Sequence, residues 1–354
     1  MSLTEIHYVP TFDPAVIGER LAKLLVPGQI SDSDLDRRIA RLDERFTTYA
    51  ALSPHGLWAP GLAITRDMRL TCESMLPLEE IGRAFRRLFS LSLKMAPTLP
   101  VSALQNSSSW LDFLHCQCTL VREADPARLL RRLLDDDEFR CRFLFALFLP
   151  RHFGGGFDRY PEQSAFLRSH LEKNAPTGTV RCLDAACGSG EGTYELFMLL
   201  LESGADPGSM TVHGVTVEPL ELFAAAHGWF PHDPARQAEF RRRFDGIVSR
   251  VSDGAIGFFR EDLTGHGRSA GEEYDIILCN GLLGGPLLHD RGTLKKVVGS
   301  LCARLRPGGI LLAADCFHGG WKRAMPEGLI RETLAGCGLQ LLAVSRGVAG
   351  ARSG

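Results

Sequence analysis

The sequence predicts an α/β protein in which an all-helical N-terminal domain precedes a doubly wound, mostly parallel, Rossmann-like sheet. Two observations support this prediction. From residue 180 onward, short apolar runs typical of strands alternate with helical patterns, which indicates a parallel sheet with helices on both faces. The first apolar run is followed by a glycine-rich turn and a helical pattern, and this order forms the ligand-binding corner of such sheets.

The first 150 residues predict helices without an internal repeat. Apolar residues recur at helical spacing, as in the stripe of Leu35, Ile39 and Leu42. The run Phe143–Leu149 is apolar nearly all round, which predicts a buried helix packed between the two domains. The predicted helices cover residues 14–25, 34–49, 78–93 and 127–135, with breaks at 54–60 and 97–109.

The rest of the chain predicts a hinge and then the sheet. Gly154–Gly156 favours a hinge, and 161–173 predicts a helix that leads into the sheet. We therefore expect a helical cap or substrate domain over residues 1–150, a hinge and lead-in helix over 151–178, and a ligand-binding domain over 179–354. The elements predicted in the last domain are strand 180–184, helix 192–203, strand 211–217, helix 219–227, a polar arginine-rich segment 233–250, strands 255–260 and 274–279, helix 291–305, strand 309–315, helix 326–336 and strand 339–345.

The composition excludes several classes of function. With 45% apolar residues, 23% charged residues and a formal charge of −2, the 354-residue chain is typical of soluble globular proteins, and no excess of positive charge points to nucleic acid. Ten cysteines are scattered without a CxxC pair or a nearby histidine cluster, which predicts no metal site and a reducing, cytoplasmic location. No apolar run reaches the roughly 18 residues of a membrane span, so we expect no membrane partner.

The spacing of the glycine segment distinguishes between two kinds of ligand that such a turn could bind. A dinucleotide fingerprint places a pyrophosphate on the helix N-terminus. Here Asp184 ends the strand four residues before Gly188, and Glu191 begins the helix directly after Gly190. Two carboxylates would repel a pyrophosphate, whereas they suit a ligand that carries ammonium and sulfonium charges. The spacing therefore favours S-adenosylmethionine over a dinucleotide.

Polar residues also follow the other predicted strands. Because ligands in such sheets bind outside the carboxyl ends of the strands, we expect these residues to share one site. Glu218 can accept hydrogen bonds from both ribose hydroxyls of an adenosine. The segment Glu261-Asp262-Leu263 offers a carboxylate and a backbone N–H to the adenine edge. Asn280 comes next to the place where the sulfonium methyl would project.

Over roughly residues 160–345 these motifs together resemble class I S-adenosylmethionine-dependent methyltransferases. The pattern Ala186-Cys187-x-x-Gly190-Glu191-x-x-Tyr194-x-Leu196 is similar to that of the chemotaxis-receptor glutamate O-methyltransferases. The resemblance implies S-adenosyl-L-methionine as the cofactor and S-adenosyl-L-homocysteine as its product. The residues expected to bind the cofactor are Asp184, Ala185, Gly188, Gly190, Glu191, Glu218, Asp262, Leu263 and Asn280.

The chain departs from the receptor methyltransferases in several segments. The family's pattern has an Arg before the Asn, and this Arg is missing from Cys279-Asn280-Gly281-Leu282-Leu283. The aromatic residues that usually follow are replaced by Gly284-Gly285-Pro286. No Thr-x-Phe-Phe-Arg segment is present, although Arg159-Tyr160 lies at a comparable distance from the glycine loop. After residue 345 the chain is nearly finished, so we expect the final hairpin strand of the class I sheet to be short or absent. The receptor-glutamate substrate therefore does not follow from the resemblance.

Three functions stay open at this point. We expect O-methyl transfer to a carboxylate, either a protein glutamate or a small acid, because an ionised oxygen is already a nucleophile and needs mainly to be positioned. Transfer to another small-molecule oxygen or nitrogen is an alternative, as is a non-catalytic sensor or scaffold that binds the cofactor. The absence of an Asn-Pro-Pro-Tyr motif argues against amino methylation of nucleic acids. The predicted catalytic residues are Asn280, Arg159 and Tyr160, and further candidates to hold the acceptor are Tyr194, His289 and His318.

Overall fold

The chain divides into two compact units. The helical unit comprises Pro14–Pro150 and Phe230–Gln237, and the sheet unit comprises Met1–Asp13, Arg151–Trp229 and Ala238–Gly354. The predicted cap and substrate role of the first 150 residues stays a prediction. The computed structural model describes residues 6–96, 102–117, 120–149, 156–174, 178–249, 254–265, 272–285, 288, 290–315 and 325–354.

The helical unit confirms the helices that the apolar spacing predicts. Leu35, Ile39 and Leu42 form a buried stripe, and the aromatic and aliphatic side chains of the run that ends at Leu149 are buried. Its helices are α1 (Pro14–Leu24), α2 (Ser33–Leu52), α3 (Arg66–Met75), α4 (Leu78–Ser92), α5 (Ser102–Gln105), α6 (Trp110–Cys116), α7 (Pro126–Asp135) and α8 (Asp137–Phe148).

Three of these helices, α3, α5 and α6, were not predicted, and α5 lies inside the predicted break over 97–109. The two longer ones begin at side-chain caps rather than at a long apolar stripe. Thr65 accepts a hydrogen bond from the Met68 amide, and Ser109 accepts one from the Asp112 amide. Short capped helices of 10 and 7 residues carry too few apolar repeats for periodicity to detect them.

The sheet unit carries the alternation of strands and helices. Its strands are β1 (His7–Tyr8), β2 (Val180–Asp184), β3 (Met210–Thr216), β4 (Ile256–Arg260), β5 (Tyr274–Leu278), β6 (Leu305–Ala313), β7 (Leu339–Leu342) and β8 (Val348–Arg352). Its helices are α9 (Pro161–Lys173), α10 (Glu191–Glu202), a 3-10 turn (Pro207–Ser209), α11 (Pro219–His227), α13 (Arg291–Ala303) and α14 (Glu327–Gly336), and α12 (Pro234–Val248) begins in the helical unit.

The strands form one sheet in the order β1-β4-β3-β2-β5-β6-β8-β7. The five strands from β4 to β6 in this order are parallel, while β1 and β8 run antiparallel to their neighbours. The predicted doubly wound, mostly parallel sheet is therefore confirmed. Because β3 and β5 flank β2, the carboxyl ends of all three strands lie at one edge.

Helices cover both faces of this sheet. On one face, Leu183, Ile277 and Leu311 pack in one buried cluster with apolar residues of α13 and α14. On the other face, Phe258 lies against Tyr194 of α10, with ring centroids 5.6 Å apart. Because helices cover both faces, the loops that follow the parallel strands lie at the carboxyl edge of the sheet. No helix among the described residues is long and apolar enough to span a membrane.

One sequence-based expectation for the sheet unit was wrong. The final hairpin strand is present, since β8 follows β7 and lies between it and β6. Its sequence, Val-Ala-Gly-Ala-Arg, has little strand propensity, and it forms because Gly350 allows a close approach to Leu339 of β7. The arginine-rich segment contains helix α12, whose Phe240 and Phe244 are buried against Tyr194. The proposed hinge residues Gly154 and Gly155 lie outside the described residues.

Candidate functional site

The turn between β2 and α10 is held by backbone hydrogen bonds to both neighbouring strands. The Ala185 amide donates to the Leu278 carbonyl at 2.7 Å, and the Cys187 amide donates to the Val215 carbonyl at 3.0 Å. These bonds anchor the turn to β5 on one side and to β3 on the other. A turn fixed at both sides presents its remaining backbone groups in one defined direction at the carboxyl edge.

Two glycines of this turn adopt positive φ angles for different physical reasons. Gly190, the N-cap of α10, has φ 91°, and a Cβ atom there would lie 2.7 Å from the Cβ of Ala225 on α11. Gly188 has φ 51°, and no atom lies within 4 Å of the position where its Cβ would stand. Gly190 therefore allows two helices to approach each other, whereas Gly188 leaves open space beside the backbone, as a ligand-binding turn requires.

Asp184 ends β2 as a buried carboxylate with only 4% of its surface exposed. It accepts a hydrogen bond from the Thr193 hydroxyl at 2.8 Å. Burial raises the pKa of Asp184 to about 6, hydrogen bonds from Thr193 and the Ala186 amide oppose this rise, and the nearby charges of Glu191 and Arg159 act in opposite directions. Asp184 and the buried Glu191 thus place two acidic groups at one turn, as the sequence predicted.

Arg159 reaches this edge from the segment that precedes α9. Its Nη2 atom lies 3.6 Å from the point at which a Cβ would stand on Gly281, three residues after the end of β5. Its guanidinium carbon lies 5.3 Å from the ring centroid of Tyr160, the N-cap of α9, which is itself 8% exposed. The structure therefore brings Arg159 near the ends of β2 and β5 with Tyr160 beside it, and the predicted catalytic roles of both residues stay predictions.

Asp158, the residue before Arg159, has an unusual backbone conformation. Its φ is 54°, the only positive φ of a non-glycine residue in the described part of the chain. Its amide donates to Glu195 Oε1 at 2.6 Å, and its carboxylate accepts from Arg243 at 3.1 Å. Burial raises the pKa of Glu195 to about 7. No sequence motif reveals this set, because its members come from three distant segments.

Asn280 stands at the end of β5 with its side chain engaged. Its Oδ1 atom accepts from Gln163 Nε2 at 3.0 Å and from the Ala314 amide at 2.9 Å, while its Nδ2 atom donates to Gln163 Oε1 at 2.8 Å. The predicted catalytic role of Asn280 stays a prediction, and the side chain has a structural partner that the sequence did not reveal.

The remaining predicted cofactor residues lie at the ends of β3 and β4. Glu218 is the N-cap of α11 and is 2% exposed, so it is a buried acid at the end of β3. Asp262 is exposed and accepts hydrogen bonds from the amide and hydroxyl of Thr264 at 2.8 and 2.6 Å. Leu263 and Ala185 are both buried in the core cluster beneath this edge.

Glu261 is committed to the interior of the sheet unit. Its Oε1 atom lies 2.9 Å from Nη1 of Arg304, and only 6% and 8% of the two side chains are exposed. Of the two acids that follow β4, Asp262 is therefore the one at the surface. The adjacency of Glu261 and Asp262 in the sequence could not separate these roles.

The other acceptor candidates have different outcomes. Tyr194 is fully buried, donates to the Ala225 carbonyl at 3.1 Å and stacks on Phe244, so it is a packing residue. His289 and His318 lie outside the described residues. In the part of the chain that the structure describes, no group of three or more His, Cys, Asp or Glu residues could hold a metal ion.

The sheet unit thus has the doubly wound, mostly parallel sheet and the strand–glycine–helix turn that the sequence predicted. No family model matches the chain. It is 28% identical over 179 residues to the "Probable biofilm formation methyltransferase WspC" of Pseudomonas putida, a match that covers 44% of this chain and 39% of that protein. It is 30% identical over 169 residues to the protein of the same name from Pseudomonas aeruginosa, again covering 44% and 39%.

The chain thus spans about two fifths of the length of these curated relatives. Among solved structures, it is similar to the N-methyltransferase NodS from Bradyrhizobium japonicum, crystallised with S-adenosyl-L-homocysteine, at 16% identity and a TM-score of 0.41. That match covers 61% of this chain and 99% of that one. The sequence relatives confirm the resemblance to methyltransferases that the motifs indicated.

Proposed function

We propose that this chain is a methyltransferase that binds S-adenosyl-L-methionine at the carboxyl edge of β2, β3, β4 and β5. The observation that carries the proposal is the pair of buried acids, Asp184 and Glu191, at a turn where Gly188 leaves open space. A buried carboxylate whose pKa is raised to about 6 is stabilised in its charged form by a cation. The ammonium and sulfonium groups of the cofactor supply such charges.

The residues at this edge fit the parts of the cofactor. Asp184 and Glu191 would receive the ammonium group, and Glu218 would accept hydrogen bonds from the ribose hydroxyls. Asp262 and the backbone of Leu263 would border the adenine. The backbone groups of Ala185, Gly188, Gly190 and Asn280 would complete the wall. When bound, the cofactor supplies an electrophilic methyl group on its sulfonium.

The acceptor that the site supports best is a carboxylate, from a protein glutamate or a small acid. An ionised oxygen needs no base, so the protein has mainly to orient it and exclude water. Arg159 is a cation at the ends of β2 and β5, and a guanidinium binds a carboxylate through paired hydrogen bonds. Tyr160 lies beside it. Two relatives that bear the name methyltransferase support the reaction class.

A second function is a sensor or scaffold that binds the cofactor without transferring its methyl group. The observation that favours it is the engaged side chain of Asn280, whose oxygen and nitrogen both hydrogen-bond to Gln163 and whose oxygen also accepts from the Ala314 amide. Small-molecule O- or N-methyl transfer is distinguished from both by the identity of the acceptor.

Calorimetry with S-adenosyl-L-methionine and S-adenosyl-L-homocysteine tests the shared part of these functions. We expect binding by the full chain, and we expect Glu218→Ala to weaken it by about 1–3 kcal/mol because ribose hydroxyls lose a charged partner. Glu202→Ala, at the exposed opposite end of α10, is the matched control and should bind like the unmodified protein. No binding at millimolar ligand by the folded chain would overturn the proposal.

Methyl transfer to a panel of acceptors then separates the functions. Peptide glutamates and small carboxylic acids test the proposed reaction, whereas phenols and amines test the small-molecule alternative. Cofactor binding without transfer to any member of the panel would favour the sensor.

A further inference from the structure

Two carboxamides face each other at the junction between α9 and the end of β5. Gln163 is 5% exposed, and its amide exchanges two hydrogen bonds with that of Asn280, at 3.0 and 2.8 Å. Asn280 Oδ1 uses its second lone pair to accept from the Ala314 amide, and the Gly281 amide donates to the Ala314 carbonyl at 2.8 Å. The pair therefore connects the first turn of α9 to the ends of both β5 and β6. We call it the amide clasp.

The amide clasp lies close to Arg159 along the chain. Arg159 stands two residues before the first residue of α9, and Gln163 lies in the first turn of that helix. On the strand side, Asn280 is followed directly by Gly281, beside which the Arg159 guanidinium stands. The two contacts, Gln163 with Asn280 and Arg159 with Gly281, are therefore neighbours along one junction. A shift of the first turn of α9 would therefore change how the chain enters the helix at Tyr160, directly after Arg159.

The chemistry of the clasp suits a positioning role. Both groups are neutral, so they fix the junction without adding charge beside Asp184 and Arg159. Each amide needs the other, because a buried carboxamide without its partner leaves donors and acceptors unsatisfied. The reciprocal geometry also fixes orientation, since rotating either amide by half a turn would oppose donor to donor and acceptor to acceptor.

We propose that Gln163 is a positioning residue that acts through Arg159: the amide clasp with Asn280 sets where the guanidinium stands at the cofactor edge. This inference rests on the proposed function. It assigns the side chain of Asn280 to the support of the site, whereas its backbone borders the cofactor. Because Arg159 lies close enough to Asp184 for their charges to interact, cofactor affinity should depend on Gln163, although Gln163 does not itself touch the cofactor.

The test uses a side-chain exchange in the full chain. Gln163→Asn and Asn280→Gln each change the reach of one amide, whereas the double variant Q163N/N280Q keeps the combined length of the pair. We expect each single variant to weaken S-adenosyl-L-homocysteine binding at least fivefold and the double variant to restore it to within twofold. Arg168→Ala, which removes an exposed ion pair from the same helix to Glu202, is the matched control and should leave binding unchanged.

A double-mutant cycle shows whether Gln163 acts through Arg159. We expect Gln163→Asn to weaken binding less than twofold further when Arg159→Ala is already present. Equal losses in the two backgrounds, or normal binding by Gln163→Asn alone, would overturn the inference. If Q163N fails to fold, Gln163→Glu, which keeps the shape and one of the two hydrogen bonds, takes its place in the cycle. Failure of the unmodified chain to bind would instead overturn the proposed function.

Discussion

Two buried carboxylates at the ends of parallel strands of the same sheet differ in how their charge is compensated. Asp184, at the end of β2, is 4% exposed and accepts from the neutral hydroxyl of Thr193. Glu261, directly after β4, is 8% exposed and is paired with the guanidinium of Arg304 at 2.9 Å. The charge of Glu261 is matched inside the fold, whereas Asp184 has neutral donors as its direct partners. We infer that Glu261 supports the structure and that Asp184 binds a cationic ligand.

The difference follows from the cost of burying charge. An ion taken out of water is destabilising unless an opposite charge and hydrogen bonds replace the solvent. Glu261 has such a partner permanently, so its contribution is to hold the segment after β4 in place. Asp184 obtains full compensation only when a cation binds, which couples its ionisation to binding. The two sites should therefore respond differently to mutation.

The largest effect is expected at the matched pair. Arg304→Met would leave Glu261 buried without its cation, and we expect a loss of about 3–5 kcal/mol in the free energy of unfolding. Urea denaturation measures it. Arg306→Met is the matched control, because Arg306 pairs with Asp275 where both side chains are about one-third exposed, and such pairs contribute about 0–1 kcal/mol.

A second variant of this pair sharpens the result. Replacing both partners, in Arg304→Met with Glu261→Leu, should recover much of the lost stability because no unpaired charge remains. Equal stability of Arg304→Met and Arg306→Met would contradict the structural role assigned to this pair.

The next effect concerns the glycine turn beside Asp184. Gly190→Ala would place a methyl group 2.7 Å from Ala225 Cβ at a φ of 91°, and we expect it to destabilise the fold by about 2–4 kcal/mol. Gly188→Ala also places a side chain at a positive φ, but the new methyl group would enter open space. We therefore expect a smaller loss of stability, about 1–2 kcal/mol. Thermal melts measure the stability of both variants, and the difference between them gives the cost of the contact with Ala225. Equal losses of stability would show that this contact is unimportant.

At the unmatched carboxylate we expect an effect on binding rather than on folding. Asp184→Asn should weaken S-adenosyl-L-homocysteine binding by about 1–3 kcal/mol, because the ammonium loses a charged partner. Binding by the unmodified chain should strengthen as the pH rises from 5 to 7, through the pKa of about 6, while the variant should show a flatter profile. Calorimetry at several pH values measures both.

The stability of Asp184→Asn provides the control for this comparison. Since burial raises the pKa of Asp184 in the folded state, its contribution to stability is greatest below pH 4 and falls as the pH rises through about 6. The variant should therefore be at least as stable as the unmodified chain at pH 7.5. A large loss of stability there would assign Asp184 to structure, as for Glu261.

The sequence was sufficient to predict the parallel strands, their alternation with helices and the acids at the strand ends, because alternation and strand–glycine–helix signals are local. It could not distinguish Glu261 from Asp262, since the deciding partner, Arg304, is 43 residues away. Gln163 belongs to no recognisable motif, and the positioning role proposed for it depends on a hydrogen-bonded partner, Asn280, that lies 117 residues later in the sequence. Strand β8 was missed because its small residues signal no strand, and its place is set by pairing with β6 and β7.

The smallest effect is expected at Glu195, which is intermediate between the two compared carboxylates. Its side chain is 20% exposed, lies 3.7 Å from Arg243 and accepts from the Asp158 amide, so its charge is partly matched. Burial raises its pKa to about 7, so its contribution to stability is full below about pH 4.5 and is lost as the pH rises through about 7. Glu195→Gln, which keeps the acceptor for Asp158, should be more stable than the unmodified chain at pH 8 by about 1–2 kcal/mol and nearly equal to it at pH 5. Glu202→Gln, on the exposed end of the same helix, should show no such pH-dependent difference. Denaturation at the two pH values measures this, and a stability difference that is equal at pH 5 and pH 8 would mean that Arg243 already compensates the charge of Glu195 as fully as Arg304 compensates that of Glu261.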